Sequence, residues 1–514
     1  MKHIAIIGGG AAGLCAAISA AFQARACNVP VQIDVFEAHA KLGHSILATG
    51  NGRCNISHEA FLSASEKQAV HACSGAAPWD CATQTASQGV YGTCEQGIQC
   101  ARNAHNTQAA QATSAPLSPD QPSKSGNSLD HLLGNSLDNA LQHFHNSKFV
   151  KTTLEHLQQA ALRGDIACIP QAHAQSYDAA LAFFSHLGVA FRCDEQGWLF
   201  PYSNTAKTVC ELLIRTAQRL GVILHASTEV RALVPSAPTS KLACTSASLE
   251  PSGSAAFTLT TSEGTHFPAD AVIAAWGGKH ARASFSMLAR SIKTVPCSPV
   301  LGPLICTYPN LKKLDTIRLR AQVSIERTQG NASRIIASEQ GEVLFRSYGV
   351  SGIAVFNVSR FVHAGDVVCI NALNMPIAAA TDFLKHKLDQ AKLLNAQAAW
   401  RDVLYGILPA PFVDVLCEQA ISKNDAPDCV ARALCQMRLP IEGIKADQCL
   451  VSRGGIALEQ LDPASLRVTN VPALYAVGEA LDVDASCGGF NLHWAWSSGI
   501  LAGACAVRAW CGAS

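Results

Sequence analysis

The strongest constraint on the fold is a glycine-rich turn near the start of the chain. The sequence there reads as a strand, HIAII, then the turn GGGAAG, then an Ala-rich helix over about 14–27, then a second strand, VQIDVFEA. Gly8, Gly10 and Gly13 match the pattern G-x-G-x-x-G. Glu37 ends the second strand. This βαβ context predicts a dinucleotide site rather than a merely tight turn.

Each residue type in this turn has its own physical role. Gly8 allows the tight turn, Gly10 lets the backbone approach a pyrophosphate, and Gly13 lets the helix pack closely on the strand. Ala11 lies at the helix N-terminus, where the N–H groups and the positive end of the helix dipole favour phosphate. Glu37 is placed to accept hydrogen bonds from ribose hydroxyls. Its charge repels a 2′-phosphate, which favours FAD or NAD over NADP.

Length and charge narrow the class of protein. The chain has 514 residues, of which 48% are hydrophobic, with 39 Lys and Arg against 38 Asp and Glu. That length is enough for two or three domains. A net charge of +1 provides no field that would gather polyanions. A small-molecule substrate is therefore expected, with no nucleic acid and no membrane as partner.

The 21 cysteines are scattered singly and form no CxxC pair. No Cys/His group has the spacing of a zinc site, so no metal is expected. Most of these cysteines are interpreted as small buried hydrophobic residues in a reducing cytoplasm.

The pattern of predicted strands and helices indicates one cofactor domain that is formed by both ends of the chain, with a second domain inserted between them. Residues 1–298 form the first part, residues 299–448 a β-rich module with helices, and residues 449–514 the return to the cofactor domain. Over about 60–145 Ala, Gln, Ser, His, Asn and Gly predominate without hydrophobic periodicity. That stretch is interpreted as a surface insertion, partly disordered.

A second glycine-bearing motif closes the chain, YAVGEALDVDASCGGFNLHWAWSSGILAG. A buried strand ends at Gly478 and Glu479, an acidic turn follows, and a Gly-Gly pair precedes the final helix. Asp482 is placed to bind a polyol hydroxyl. The helix N-terminus near Phe490 and Asn491 suits the part of a flavin where negative charge accumulates on reduction. This motif favours FAD over NAD.

The chain resembles the BaiN/YhiN-like bacterial FAD-dependent oxidoreductases. The resemblance rests on GGGAAG, GNGRCNIS, LFPYSNTAKTV, GEVLFRSYGVSGIAVFNVS and GGIALEQLDP, and above all on the closing motif. That family includes a bile-acid dehydro-steroid reductase and an aminoacetone oxidase. The resemblance implies an α/β fold, with a Rossmann-like FAD-binding domain of the glutathione-reductase type and an inserted domain of barrel strands and helices on the substrate side.

The resemblance also implies a set of FAD-binding residues. Arg53, Cys54 and Asn55 would lie along the ribityl chain and ring, and the backbone of Val230 would meet adenine. The residues expected to bind the ADP half or to close over the flavin are Gly8, Gly10, Ala11, Gly13, Glu37, Gly478, Glu479, Asp482, Gly489, Phe490 and Asn491. The chain departs from the family pattern at several positions, including His44-Ser45-Ile46, Ala275-Trp276-Gly277-Gly278, KHARASFS and Ser486-Cys487.

Catalytic residues are less well defined by the sequence. Tyr348 is a candidate proton donor to a substrate carbonyl, against a core or hinge role. Cys54 and Cys487 are candidate redox thiols, against a packing role. His493 and Trp494 lie just inside the last helix, where contact with the flavin ring and packing are both open.

The expected activity is transfer of hydride from NAD(P)H or a donor substrate, through the flavin N5, to an electron-poor C=C or C=O group. Two alternatives stay open: an amine oxidase that uses O₂, and a flavin-dependent protein that binds or modifies RNA. Residues 299–448 carry 16 Lys and Arg against 14 Asp and Glu, a net charge of +2. So weak a positive charge disfavours RNA.

Overall fold

The computed structural model describes residues 1–62, 148–162, 179–236, 255–278, 292–330 and 332–511. The chain divides into two compact units, Met1–Cys297 with Gly454–Ser514, and Ser298–Arg453. The expected boundaries at 298/299 and 448/449 fall close to these divisions. The insertion expected at about 60–145 lies, from residue 63 onward, outside the described residues, and so does KHARASFS.

A five-stranded parallel sheet forms the centre of the first unit, as the opening βαβ pattern predicts. The first strand pairs on one side with the second, in the register Ile4 to Ile33, and on the other with a strand more than 260 residues away. Both neighbours are buried at their carboxyl ends. The strands, in spatial order, are Leu474–Ala476, Ala271–Ala274, Lys2–Ile7, Val31–Phe36 and Ile223–His225.

Two helices of the first unit pack with almost no space between their backbones. The first helix is Ala11–Ala26 and the last helix of the described chain is Phe490–Arg508. A Cβ atom added to Gly499 would lie 2.2 Å from the carbonyl oxygen of Ala12, and one added to Gly503 would lie 2.2 Å from that of Ala16. These glycines are therefore required by the close approach of the two helices.

Two small antiparallel sheets complete the first unit. The sequence predicts one strand-like run for VILHASTEVRAL, but the structure divides it into two strands. Ile223–His225 joins the parallel sheet, and Val230–Pro235 joins an antiparallel one. Ser227, at φ +53°, turns the chain between them. The sheets consist of Val230–Pro235, Phe257–Thr261 and His266–Ala269, and of Ser57–His58, Trp198–Pro201 and Phe191–Cys193; the remaining helices are His44–Leu47, Lys148–Leu162, Ala179–His186 and Ala206–Arg219.

The second unit contains a closed six-stranded barrel, which confirms the fold class implied by the family resemblance. The sequence predicts SRIIAS and GEVLF as two separate short strands. In the structure they form one strand, because Gly341 stays in register with Ala321 instead of making a turn. The strands in barrel order are Leu304–Cys306, Gly349–Ser351, Ala332–Arg346, Arg318–Gln329, Val367–Asn371 and Met437–Ile444; the helices are Ile353–Ser359, Ile377–Leu394, Trp400–Leu404, Ala410–Gln419 and Pro427–Cys435.

Among the helices of the described residues, none is both long enough and apolar enough to cross a bilayer.

The close packing of the two helices makes a direct prediction about Gly503. Gly503→Ala should lower the free energy of unfolding by about 1–3 kcal/mol, because the new methyl group meets the Ala16 carbonyl in an already filled interface. Alanine would otherwise stabilise a helix interior relative to glycine. Denaturant titration of the purified variant measures the difference.

Gly406→Ala is the matched control, because its added Cβ would make only an ordinary contact, 3.5 Å from the Val403 carbonyl oxygen. The control should change the free energy of unfolding by no more than about 0.5 kcal/mol. Equal stability of both variants would contradict the packing described for the two helices.

Candidate cofactor site

The three glycines of the opening turn are required for different geometric reasons. Gly8 has φ +110°, and a Cβ there would lie 2.3 Å from the carbonyl oxygen of Ala275. A Cβ on Gly13 would lie 1.9 Å from the carbonyl oxygen of Gly8. Gly10, at φ −83°, precedes the helix, and its added Cβ would meet only the Ser45 hydroxyl oxygen, at 3.0 Å. Gly8 and Gly13 therefore serve the fold, whereas Gly10 keeps a surface of the turn clear.

The N-terminus of the first helix has the properties of a phosphate site. No side chain caps it, and its first turn contains no acidic residue. Ala11 and Ala12 are each only 7% exposed. A largely buried helix N-terminus without a side-chain cap presents N–H groups and a positive dipole end to a ligand. The turn therefore fits the pyrophosphate of a dinucleotide.

Glu37 lies beside this turn, and the protein already uses much of its carboxylate. Oε2 accepts a hydrogen bond from the Gly9 N–H at 2.8 Å. Oε1 accepts one from the His39 N–H at 2.9 Å and lies 2.6 Å from His39 Nδ1. A carboxylate has about four acceptor positions, so these contacts leave room for roughly one ribose hydroxyl.

His39 was not expected at this site from the sequence. Its ring also stacks on His44, with 5.1 Å between the ring centroids and 8° between the planes. His44 occupies a position where the chain departs from the family pattern. In the sequence, only this difference from the family pattern at His44 could have indicated that His39 and His44 pair.

The structure brings Val230 to the same edge as Glu37. Thr228 donates its N–H to the Glu37 carbonyl oxygen at 2.7 Å, and Val230 begins the strand two residues later. Val230 is buried and pairs with Thr261. Its placement near Glu37 is consistent with the expected contact between its backbone and adenine.

Three successive residues, Asn55, Ile56 and Ser57, bind the last helix, which the sequence did not predict. With its amide oriented to satisfy every partner, Asn55 donates to the carbonyl oxygens of Ser57 and Leu199 and accepts from the Gly489 N–H at 3.1 Å. The Ile56 carbonyl accepts from Trp496 Nε1 at 3.1 Å. The Ser57 hydroxyl lies 2.7 Å from His493 Nδ1. We call these contacts the clamp.

Arg53 and Cys54, which precede the clamp, have different surroundings. The Arg53 guanidinium lies over the Phe200 ring, 4.6 Å from its centroid, and Nε donates to the Gly50 carbonyl. Cys54 is fully buried, and burial raises the pKa of its thiol to about 12. A thiol that stays protonated at neutral pH is a poor nucleophile, so the packing role expected for Cys54 is favoured over the redox role.

The last helix begins after Gly489, which has no side chain to cap the helix and whose own N–H donates to Asn55. Gly488 and Gly489 have φ +125° and +91°, and the first turn of the helix contains no acidic residue. A Cβ on Gly489 would lie 2.5 Å from the Ser57 carbonyl oxygen. Glycine is thus required here because the clamp presses the loop against the helix.

Phe490 and Asn491 bind other parts of the protein with their side chains. The Phe490 ring stacks on His58, with 4.9 Å between centroids. The Asn491 amide exchanges two hydrogen bonds of 2.9 Å with the backbone of Ala485. Their described contacts therefore shape the loop before the helix, and contact with a flavin through these two side chains stays a prediction.

The segment after the strand Leu474–Ala476 makes hydrogen bonds to the last helix and to Gly454. Gly478, at φ +61°, donates its N–H to the Ser498 hydroxyl at 3.0 Å and accepts from Trp494 Nε1 at 3.3 Å. Asp482 Oδ1 accepts from the Gly454 N–H at 2.9 Å. Glu479 is half-buried. Trp494 therefore packs and donates to the protein, while one oxygen of Asp482 supports the strand Val451–Ile456, which contains Gly454.

His493 sits in the interior of this region. It is fully buried, and its ring stacks on Phe61 with 3.7 Å between centroids and 3° between planes. With the bond to Ser57, these contacts give His493 a packing and clamping role.

The two uncapped helix ends point the same way and are offset. Ala12 faces Gly499 and Ala16 faces Gly503, so the helices run roughly parallel. Gly489 precedes Gly499 by ten residues, whereas Gly10 precedes Ala12 by two. At about 1.5 Å per residue, the last helix extends further by on the order of 10 Å. Two positive helix ends at different depths fit a long ligand that carries negative charge at two places.

The candidate catalytic residues lie in different units. Cys487 is half-buried in the loop before the last helix. Tyr348 belongs to the second unit, where its hydroxyl donates to Gln448 Oε1 at 2.8 Å and the Lys445 ammonium lies 5.3 Å from its ring centroid. The same unit contains a cavity of about 770 Å³ lined in part by Tyr308, Lys312 and Arg438.

The chain is also similar to known proteins. The family model described as the HI0933-like protein Rossmann domain matches residues 151–505. The chain is 26% identical over 532 aligned residues to a 3-dehydro-bile acid delta(4,6)-reductase of Clostridium scindens, covering 99% of this chain and 100% of that protein.

Two further similarities are more limited. A ribosomal RNA dihydrouridine synthase of Haemophilus influenzae is 26% identical over 32% of this chain and 41% of its own length. A flavocytochrome c3 fumarate reductase structure covers 99% of this chain and 78% of its own at 11% identity, with a TM-score of 0.39. The chain thus spans less than half of that synthase, and the structural similarity is too low to bear on function.

The different roles of the first two motif glycines can be separated by mutation. Gly10→Val should keep the fold but weaken flavin binding by about 1–3 kcal/mol, roughly 5- to 150-fold, because its side chain occupies space beside the helix N-terminus. Gly8→Val should instead destabilise the protein, since φ +110° and the Ala275 carbonyl exclude a side chain.

Titration of the apoprotein with FAD gives the affinity of each variant, and circular dichroism gives its secondary structure. An FAD affinity of folded Gly10→Val equal to that of the wild type would show that the turn does not face the cofactor.

Proposed function

The chain belongs to the HI0933-like Rossmann family, and from that premise we propose that it is an FAD-dependent reductase of a C=C bond conjugated to a carbonyl group. The observation that carries the proposal is the whole-length similarity to a reductase. It is joined by a site with two uncapped helix ends, which suits a dinucleotide with a reducible ring. That the chain is a flavin-dependent oxidoreductase follows from the family; the acceptor is our inference.

The names of two relatives support this choice of acceptor. One reduces the delta(4,6) bonds of a 3-dehydro bile acid, and the other produces dihydrouridine. In a 3-oxo steroid with those bonds, and in uracil, the C=C bond is conjugated to a carbonyl group. Such a bond accepts hydride at its electron-poor carbon and then a proton at the neighbouring carbon.

The chain's own residues would hold and polarise the cofactor. When bound, FAD supplies hydride at N5. The N-terminus of the first helix would bind the pyrophosphate, and Glu37 one ribose hydroxyl. The N-terminus of the last helix would stabilise negative charge by roughly 0.3–2 kcal/mol, the usual range for a charge at a helix end. The clamp fixes that end before any cofactor arrives, so its N–H groups need no rearrangement.

NAD(P)H is the proposed electron donor. The sequence contains one G-x-G-x-x-G motif, so a second nucleotide domain of that type is not indicated. The nicotinamide would therefore use the same flavin face as the acceptor, in alternation with it. The alternative donor is an amine substrate, with O₂ as the acceptor.

An RNA substrate is the second candidate, because two dihydrouridine synthases are similar to a third of the chain. The charges of the second unit argue against it. Several of its cations already face acids: Lys313 Nζ lies 2.7 Å from Glu418, Arg318 lies 3.2 Å from Glu342, and Arg438 pairs with Glu326. Cations paired in this way contribute little to binding phosphates. A small acceptor is therefore favoured.

Anaerobic half-reactions test the proposal. The purified protein is reduced with NADH or NADPH and then mixed with 2-cyclohexenone, with cyclohexene as the unconjugated control, with air, or with a uridine-containing RNA. Reoxidation of the flavin should be at least about tenfold faster with the enone than with cyclohexene, a difference of about 1.4 kcal/mol in barrier.

Fast reoxidation by air alone would favour the oxidase, and conversion of uridine in the RNA would favour the RNA enzyme. If neither NADH nor NADPH reduces the flavin, the proposal that NAD(P)H is the electron donor is contradicted.

Asp482 allows a second test, because its support of Gly454 and its expected contact with a ribityl hydroxyl depend on different properties. Asp482→Ala leaves the Gly454 N–H without its acceptor, and it should lose about 1–3 kcal/mol of stability and weaken flavin binding. Asp482→Asn keeps an acceptor oxygen but loses the charge. It should keep the stability and bind FAD more weakly.

Thermal unfolding and flavin titration measure both quantities. Wild-type FAD affinity in Asp482→Asn would show that Asp482 supports the strand without contacting the ribityl chain.

A further inference from the structure

Thr261 carries a buried hydroxyl group that makes no hydrogen bond within the described residues. The residue is 3% exposed and ends the strand Phe257–Thr261. Successive side chains of a strand point to opposite faces, so Thr261 shares its face with Phe257 and Leu259, which are buried in the core. A buried hydroxyl without a partner is destabilising, and a ligand that supplies the partner gains affinity.

This hydroxyl lies on the sheet that meets Glu37. Thr261 is directly opposite Val230, so the two side chains leave the sheet on the same face. Val230 follows Thr228 by two residues, and the Thr228 N–H donates to the Glu37 carbonyl oxygen at 2.7 Å. The strand end that contains Thr261 is therefore joined, through its partner strand, to the residue expected to bind a ribose.

The pairing of these two strands is irregular beside Thr261. Thr261 pairs with Val230, and the next pair in the register is Thr260 with Ala232. The intervening Arg231 is an extra residue in its strand, a β-bulge. Bulges bend a strand and change the direction of neighbouring side chains, and they are frequent next to active sites. The bulge is thus a second feature that distinguishes this end of the sheet.

We propose that the Thr261 hydroxyl binds the adenine base of FAD and contributes to recognition of the nucleotide half of the cofactor. The inference rests on the proposed function, in which Glu37 binds a ribose hydroxyl. The base is joined to that ribose by one bond, so it lies beside Glu37, where the segment from Thr228 to Val230 passes. Adenine accepts hydrogen bonds at its ring nitrogens and donates them from its amino group, and a hydroxyl can do both.

A second threonine provides a matched control. Thr153 is fully buried, and its hydroxyl also has no partner among the described residues. It belongs to the helix Lys148–Leu162, which hydrogen-bonds through Gln158 to the carbonyl oxygen of Leu458. Thr153→Val therefore removes a hydroxyl of the same kind from a different element of the same unit.

Thr261→Val removes the hydroxyl and nearly keeps the shape of the side chain. The apoprotein of this variant should unfold at a higher temperature than wild-type apoprotein, because it buries no unpaired hydroxyl. With FAD bound this advantage should disappear, because only the wild type gains the hydrogen bond. Titration calorimetry should show an FAD affinity about 3- to 10-fold lower. ADP, which has the same base without the flavin, should lose affinity by the same factor.

Thr153→Val should raise the unfolding temperature equally with and without FAD and should keep wild-type affinities for FAD and ADP. Thr261→Ser retains the hydroxyl and should bind FAD within about twofold of the wild type. An equal loss of FAD affinity in Thr261→Ser and Thr261→Val would show that packing, and not the hydroxyl, matters.

Two further outcomes separate this inference from the proposed function. Wild-type affinities for FAD and ADP in Thr261→Val would show that the hydroxyl does not meet the base, and the proposed function would stand. Failure of the wild-type protein itself to bind FAD would overturn the proposed function together with this inference.

Discussion

The cofactor unit depends on the contact between the backbones of its first and last helices. Gly499 and Gly503 leave no distance for a side chain against the Ala12 and Ala16 carbonyls. Polar contacts secure the same interface, because the Ser19 hydroxyl donates to the Ile500 carbonyl at 2.7 Å. Close backbone approach maximises dispersion contacts and leaves little freedom for sliding. Residues nearly 500 positions apart thereby place two helix N-termini in one region, and the offset between them is set by this packing.

Once the helices are fixed, the remaining site is assembled by residues that bind each other. The clamp joins Asn55, Ile56 and Ser57 to the last helix, while Gly454 holds Asp482 and Gly9 holds Glu37. Several residues expected to contact the cofactor thus use polar atoms for hydrogen bonds within the protein. The first turns of the two helices contain no acidic residue, and their backbone N–H groups are the groups proposed to meet the ligand. Such groups do not need to reorient when the ligand binds, which lowers the entropic cost of binding.

Local sequence patterns were sufficient to predict those parts of the fold that depend on the conformational preferences of neighbouring residues. Gly8 and Gly13 could be predicted because a tight turn and close helix packing each require glycine. The long barrel strand Ala332–Arg346 was divided in the prediction, because Gly341 resembles a turn residue and only its barrel partner shows otherwise. The contact of Asn55 with the Gly489 N–H could not be predicted, because tertiary packing joins residues that are far apart in the sequence. The contact of Glu37 with His39 is local, but it depends on the conformation of the chain after the strand, which no periodicity encodes.

At this site the backbone N–H groups of helix ends are proposed to bind the cofactor, while nearby side chains bind the protein. The nearby side chains can therefore differ from the family pattern. His44 and Ser45 begin the short helix His44–Leu47, and Ser486-Cys487 lie in the loop before the last helix. Both cofactor-site helices begin after a glycine and have no acid in the first turn. A site that binds through backbone N–H groups tolerates new side chains as long as they leave the turn open, as Ser45 does at 3.0 Å from the added Cβ of Gly10. Side chains around the turn can therefore change without disturbing the backbone N–H groups that are proposed to face the cofactor.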